Sequence, residues 1–360
     1  MKTFGLEQCA ADACVLRLIV NGTVSVIAVV HVDGIFAVRV GRKSRCDRFC
    51  EDLNKLAPIT NLGELRWYAG CHFFRDKRNG LPTISQKAFT DKIVDKFGIV
   101  SNRTIPAVVG RKLEDFEKDE PEGDWPLREV GGSLMWLANQ TRPDISNAVR
   151  AVARYARAPK SVHWGTALSI LKYLKTTSDL DITYQRGSGL DLDIFADADY
   201  ASKATDRRSV SGGVVMCGGT AVSWFSRTQN CLTLSTTEAE QVAMSECAKE
   251  ALSVRHVWCF ILPALGMPCM KVFEDNIDAV HFAQNPVTNS SSKHIDVRHH
   301  HLGELYFNGH VVVIHVASEY LHGDFLTNPL SKDAFEFHRS FLMNLSHVLR
   351  FGTCCEDIDI

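Results

Sequence analysis

No run of residues approaches the ~20 consecutive apolar positions that a membrane-crossing helix needs. The opening stretch MKTFGLEQCAADACVLRL has no charged-then-apolar leader layout, so the expected setting is cytoplasmic or nuclear, not secreted. The twelve cysteines include no C-x-x-C pair and no regular spacing. That argues against both a disulfide framework and a cysteine-based zinc site, and they read as reduced thiols packed like small hydrophobes. Internal repeats are absent as well. An excess of charge of one sign is also missing: 40 Lys+Arg stand against 42 Asp+Glu, a net −2, which at face value speaks against a nucleic-acid binder. What remains is ordinary globular composition, 45% hydrophobic and 23% charged over 360 residues, enough for two or three domains at roughly 100–200 residues each.

The balanced total hides two unlike halves. Residues 1–190 carry 28 Lys+Arg and 21 Asp+Glu, a balance of +7, whereas 191–360 carry 12 and 21, a balance of −9. Eleven of the 14 histidines also fall after residue 190. In the first half, 14–40 reads as two strands and a turn, broken at Asp33-Gly34. Residues 44–57 read as a helix, 67–75 as a strand, and Asn79-Gly80 as a tight turn. Phe89, Ile93 and Phe97 mark one face of a helix over 86–98. The stretch 111–126 has seven acids, two prolines and a glycine, and reads as a linker; helices follow near 144–157 and 163–177. The second half changes character. A strand at DLDIFADADY precedes a hairpin turning at Gly218-Gly219, and Ser235-Thr236-Thr237-Glu238 opens a long helix as a capping box. The remaining order gives β-β-β-α-β-α-α-β-α, a mixed α/β domain.

Four acids lie on four separate elements of this second half: Asp197, Glu240, Asp275, and Asp324 at the expected start of the last helix. Their convergence would demand a counter-charge, most naturally divalent cations. Neighbouring acids keep the choice open. Asp199 shares a strand face with Asp197, and Glu238 and Glu240 differ by about 200° around a helix. Exposed acids are common in any domain of this size.

The wording of the segment FADADYASKATDRRSVSGGVVMCGGTAVSWFSRTQNCLTLSTTEAEQVAMSECAKEA, continued by FEDNIDAV, SSKHIDVRHHHLGEL and LHGDFLTNPLSKDAFEFHR, resembles the ribonuclease H region of copia-type LTR-retrotransposon Pol polyproteins. FGLEQCAADACVL, VVHVDGIFAV, NLGELRWYAG, ISQKAFTDKIVDKFGI, VGGSLMWLANQTRPDISNAV and HWGTALSILKYLKTT resemble the C-terminal part of that family's reverse transcriptase and its connection. The likeness covers about residues 4–342. It implies a partial reverse transcriptase (palm end and thumb-like region) over 1–110, linker and connection helices over 111–189, and a ribonuclease H-like domain over 190–345. That domain would have a mixed five-stranded sheet flanked by helices, ahead of a tail at 346–360. The resemblance assigns Asp197, Glu240, Asp275 and Asp324 as catalytic, metal-binding carboxylates. It implies two Mg²⁺ ions, with Mn²⁺ as a substitute, and an RNA–DNA hybrid whose RNA strand is hydrolysed. The partners implied are that hybrid and the rest of a Pol polyprotein, with no membrane.

Departures from the family carry their own expectations. The polymerase turn Tyr-Val-Asp-Asp is here His31-Val32-Asp33-Gly34, so Asp33 is a vestigial acid. The family's other metal-binding aspartate lies further upstream, and DNA synthesis by this chain alone is not expected. His322-Gly323 precedes Asp324 where the family often has a small residue. The alternative to a nuclease is a non-catalytic nucleic-acid-binding remnant of a retroelement. Arg207, Arg208, Lys293 and His294 are further candidates for nucleic-acid contact, against solvated-loop and helix-cap readings. His299-His300-His301 on one helix point about 100° apart and cannot chelate one ion. Trp67, Trp136, Trp164, Trp224 and Trp258, in apolar periodic segments, are expected in the core rather than stacked on bases.

Overall fold

The computed structural model describes residues 5–32, 34–39, 43–56, 58–75, 81–107, 109–110, 113–114, 116, 120, 123–185, 187–202, 207–285 and 296–345. An antiparallel sheet in sequence order opens the chain, with β1 (Leu6–Gln8), β2 (Val15–Val20), β3 (Thr23–His31) and β4 (Gly34–Arg39). The two strands expected over 14–40 are three, because His31 already pairs with Gly34 across a second hairpin. Asn21 and Gly22 both have positive φ, 52° and 74°. That is the turn geometry whose twist matches a two-residue hairpin. Helix α1 (Lys43–Leu56) covers one face, where Phe49 meets Leu6, Leu16, Val26 and Ala28.

A second small sheet joins β5 (Trp67–Tyr68), β6 (Cys71–Arg75), β7 (Pro82–Ser85) and β8 (Ile182–Thr183). The expected turn at Asn79-Gly80 lies outside the described residues, as does part of 111–126. Four helices follow: α2 (Lys87–Lys96), α3 (Leu127–Gln140), α4 (Ser146–Ala153) and α5 (Ser161–Thr176). Their apolar faces bury Ile93, Leu134, Val149, Ile170 and Leu174.

The larger sheet contains β9 (Leu192–Asp199), β10 (Val210–Cys217), β11 (Thr220–Thr228), β12 (Met270–Glu274) and β13 (Val311–His315), in the order β11-β10-β9-β12-β13. Strands β9 to β11 are antiparallel, while β12 and β13 run parallel to β9. Helices α6 (Thr236–Ile261), α7 (Ile277–Gln284) and α8 (Asp296–Phe307) pack against Leu192, Ile194, Ala196, Val215 and Val272. The other face carries Phe195, Val214 and Met216. It is covered by α3, α4 and α5 together with α9 (Lys332–Leu342), in one continuous core reaching from Ile93 to Leu342. With both faces covered, most residues of β9 and β10 are buried. The mixed five-stranded sheet flanked by helices is the architecture expected for this half.

Two details differ from the reading of the sequence. Asp324 does not start the last helix. It opens a single 3-10 turn, Asp324–Leu326, and α9 begins only at Lys332. Pro329 explains the break, since it lacks the N–H a helix needs and disfavours helical backbone at Asn328. The tryptophans are not all core. Trp67 is 59% exposed on a two-residue edge strand, beside His72, and Trp136 is 39% exposed, lying over Gly70. Trp224 does point inward, donating its indole N–H to the Ala138 carbonyl at 2.6 Å.

Candidate active site

The carboxyl ends of the parallel strands β9 and β12 lie side by side. After β9 the chain leaves to one side, into β10; after β12 it leaves to the other, through α7 and α8 into β13. Crevices at such a reversal of strand order are where α/β sheets place ligands. Asp197 comes from the end of β9, and Asp275 immediately follows β12. Glu240 lies in the first turns of α6, whose start is fixed by Ser235. The Ser235 Oγ accepts a hydrogen bond from the Glu238 N–H at 3.2 Å, and the Glu238 carboxylate accepts from the Leu234 N–H. Glu238 is therefore engaged in the cap while Glu240 is buried.

Asp197, Glu240 and Asp275 each offer an oxygen within 4.8 Å of the others. Asp324 lies beside them. Thr327 donates its hydroxyl to Asp197 Oδ2 and also to the Asp324 carbonyl at 2.8 Å, and Asn328 Nδ2 donates to Asp324 Oδ1 at 2.8 Å. Asp199, the rival on β9, instead engages Ser202 and faces Arg150.

Glycines make this approach feasible. Gly212 pairs with Asp197 across β9–β10. A Cβ on Gly212 would come within 2.8 Å of both Leu326 and Thr327. Gly323 lies so close to β9 that a Cβ would meet Asp197 Cβ at 3.2 Å. The Gly of His322-Gly323 thus supplies the smallness this position demands, and the His is absorbed elsewhere: His322 stacks on Phe341 at 3.6 Å and shares a 3.0 Å Nδ1···Nδ1 hydrogen bond with His338.

The electrostatics are those of acids forced together. Burial first, and then the charges of Asp324, Asp275 and Asp199, push the Asp197 carboxyl up to about 7, against a lowering hydrogen bond from Thr327. Burial and the neighbouring Asp275 also raise Asp324, which the Asn328 amide partly offsets. Glu240 is raised well above the carboxylate range by burial, then by Glu274, Asp197 and Asp275.

Glu274 is a fifth acid that the sequence reading passed over as one of the acids ending a strand. It is fully buried, its carboxyl raised by burial and then by Asp197 and Asp275. Its signal was periodicity: Met270, Val272 and Glu274 alternate onto the buried face of β12. One oxygen each of Glu240 and Glu274 is buried without a hydrogen-bond partner in the protein. Unpartnered buried oxygens in a close carboxylate cluster suit divalent cations, so the residues present fit the metal requirement. Thr327 and Asn328 were also missed; nothing in their spacing marks them.

The other candidates are not gathered here in the same way. Arg207 and Arg208 are exposed on the segment leading into β10, Arg207 in the left-handed region at φ 55°. Asp33, Lys293 and His294 lie outside the described residues. Among the described residues, no helix is long and apolar enough to cross a membrane.

Comparison with known proteins finds relatives over most of the chain. The chain is 28% identical over 346 residues to the retrovirus-related Pol polyprotein from transposon TNT 1-94 of Nicotiana tabacum, covering 93% of this chain and 26% of that protein. It is 30% identical over 258 residues to the corresponding polyprotein from transposon RE2 of Arabidopsis thaliana, covering 70% of this chain and 17% of that one. An RNase H1 isolated from compost by a metagenomic approach aligns in structure with a TM-score of 0.30 and 16% identity, over 41% of this chain and 96% of the other. No protein-family model matches the chain. The chain is similar to part of a retroelement Pol polyprotein. More narrowly, the relatives it matches are retrovirus-related Pol polyproteins of copia-type transposons. It spans about a quarter or less of the length of these relatives.

Proposed function

We propose that this chain hydrolyses the RNA strand of RNA–DNA hybrids, with Asp197, Glu240, Asp275 and Asp324 holding two Mg²⁺ ions, or Mn²⁺ in their place. The observation that carries the reading is the meeting of Asp197, Glu240 and Asp275 within 4.8 Å at the carboxyl ends of β9 and β12. Bound divalent cations would supply Lewis acidity and an activated water to an in-line displacement at phosphorus.

The chain's own residues do the positioning. Asp197 is central, tied through the Thr327 hydroxyl to the turn that bears Asp324. Asn328 fixes the Asp324 carboxylate so that it enters the cluster from the opposite face of the sheet to α6. Burial dries the cluster, which strengthens each interaction with developing charge on the phosphate. The polymerase turn is read separately. With Gly34 where the family has its second acid, one carboxylate cannot gather two metal ions, and the chain alone is not expected to extend a primer.

The test uses the full 360-residue chain and a labelled hybrid, with and without Mg²⁺. Metal-dependent cleavage that Asp275→Asn abolishes supports the reading. Undiminished cleavage by Asp275→Asn, or hybrid binding without any cleavage, overturns it in favour of a non-catalytic binding remnant.

A further inference from the structure

Beside the carboxylates opens a groove of about 220 Å³ between the α4–α5 layer and the large sheet. One wall holds Asp199 and Thr327, the same Thr327 that donates to Asp197. The other side holds Asn147 and Arg150 of α4 and Arg154 just after it, with the exposed Ser202 also lining it. The groove is therefore continuous with the carboxylate edge.

Arg150 is the unusual member. Its Nε donates to Ser226 Oγ at 3.0 Å and its Nη2 to Asn147 Oδ1 at 2.8 Å, both neutral acceptors. Among the described residues it forms no ion pair, although Asp199 faces it. Arg154, the second guanidinium of the groove, is already paired with Glu114. Burial, and then the charge of Arg154, pull the Arg150 guanidinium down to about 10, with Asp199 acting in the opposite direction. Buried charges are normally paired, because desolvating an unpaired ion is expensive. A cation kept in this state at a groove wall is a pre-formed anion site. The planar fork of a guanidinium suits the oxygens of a phosphodiester, and the exposed Ser202, whose hydroxyl donates to Asp199, lines the rim beside it.

We propose that Arg150, supported by Arg154 and Ser202, forms a phosphate-binding subsite for the nucleic-acid backbone that lies across the carboxylates. The inference rests on the proposed function for the identity of the polymer. Its own content is that α4, from the connection layer, supplies the phosphate contact for a site whose carboxylates all come from residues 197–324. The basic half of the chain thereby serves the acidic half.

The experiment measures binding rather than cleavage. Full-length protein in EDTA is titrated against fluorescein-labelled RNA–DNA hybrid, single-stranded RNA and single-stranded DNA of equal length, at several salt concentrations. Arg150→Gln is expected to weaken hybrid binding about tenfold or more at low salt, and to reduce the slope of log Kd against log salt by about one for the lost phosphate contact. Ser202→Glu places a negative charge on the exposed rim without touching the core, and is expected to weaken binding in the same direction. It decides the matter if Arg150→Gln does not fold. A loss confined to the RNA arm assigns the subsite to the RNA strand, and one confined to the DNA arm assigns it to the DNA strand; either supports the proposal. Wild-type affinity and salt slope in Ser202→Glu, with or without a loss in Arg150→Gln, overturn it. Because no metal and no turnover are involved, a failure of the cleavage reading would leave these binding results standing, and the two failures are distinguishable.

Discussion

The N-terminal sheet and the large sheet differ in how many faces they bury. The four strands β1–β4 bury one face against α1, with a small core of Leu6, Leu16, Val26, Ala28 and Phe49. Ile35, Val38 and, in the next sheet, Trp67 and Phe74 remain exposed. The large sheet buries both faces: α6, α7 and α8 on one, helices α3–α5 and α9 on the other. A cluster of repelling carboxylates is costly, and it sits where the surrounding core is deepest. The comparison teaches that helices α3–α5 are structural parts of the site-bearing half, even though the change in composition falls after them. The N-terminal sheet also touches the end of α6, through Arg17, which lies over the Phe260 ring at 4.3 Å and donates to the Phe260 carbonyl.

The largest effect is expected at the carboxylates. Asp197→Asn should lower metal-dependent hybrid cleavage by at least about a hundredfold, the scale of losing a group that stabilises transition-state charge. It should also raise the melting temperature in EDTA, since a buried repelling acid is removed; calorimetry beside the cleavage assay checks both. A fall in melting temperature would contradict the account of the cluster.

Next comes the ionic network under the shared core. Arg142 forms a two-pronged pair with Asp144, at 2.9 and 2.7 Å, and donates to the Thr177 carbonyl at 3.0 Å. Tyr173 donates to Asp144, and Arg339 of α9 donates to the Tyr173 hydroxyl at 3.1 Å. Asp144→Asn strands a fully buried guanidinium and should cost about 3–5 kcal/mol in denaturant unfolding. If cleavage is lost with stability, helices α3–α5 and the large sheet form one cooperative unit.

The contrast between the halves can then be broken by matched truncations. Leu134→Ala, in the shared core, should cost about 2–5 kcal/mol and speed hydrogen exchange throughout β9–β12. Leu16→Ala should speed exchange in β1–β4 and leave hybrid cleavage near wild type. Equal loss of cleavage in both variants would erase the distinction.

A smaller effect is the pH dependence of the metal-free protein. The Asp197 carboxyl is raised to about 7 in the folded state, from 3.8, so the folded state binds more protons than the unfolded one between those values. Stability is then fully present below about pH 4 and is lost as pH rises through about 7. Melting curves in EDTA should show this decline, and millimolar Mg²⁺ or Asp197→Asn should flatten it. The smallest change is Ser235→Ala, which removes the cap on α6 and should cost about 1 kcal/mol.

Much of this was legible in the residues. The four-residue spacing of Phe89, Ile93 and Phe97 marked α2, Gly218-Gly219 marked the β10–β11 turn, and Ser235 with Glu238 marked the start of α6. Each is a local signal, set by backbone geometry over a few residues. The carboxylates were legible mainly through the likeness to copia-type Pol polyproteins; spacing alone did not separate Asp197 from Asp199 or Glu240 from Glu238. Glu274 was hidden because an acid at the end of a strand usually means solvent, and only its neighbours reveal that it is buried.

The sequence by itself determined the elements and their order, because hydrophobic period and capping act within single segments. Only the tertiary structure decided what meets what. Gly212 and Gly323 matter because they let the Asp324 turn close on β9. Arg150 matters because α4 packs beside the sheet and leaves its charge facing Asp199 without an ion pair among the described residues. The core from Ile93 to Leu342 crosses the boundary between the basic and acidic halves, since apolar surface is buried wherever a complementary face is presented, whatever the charge of the chain around it.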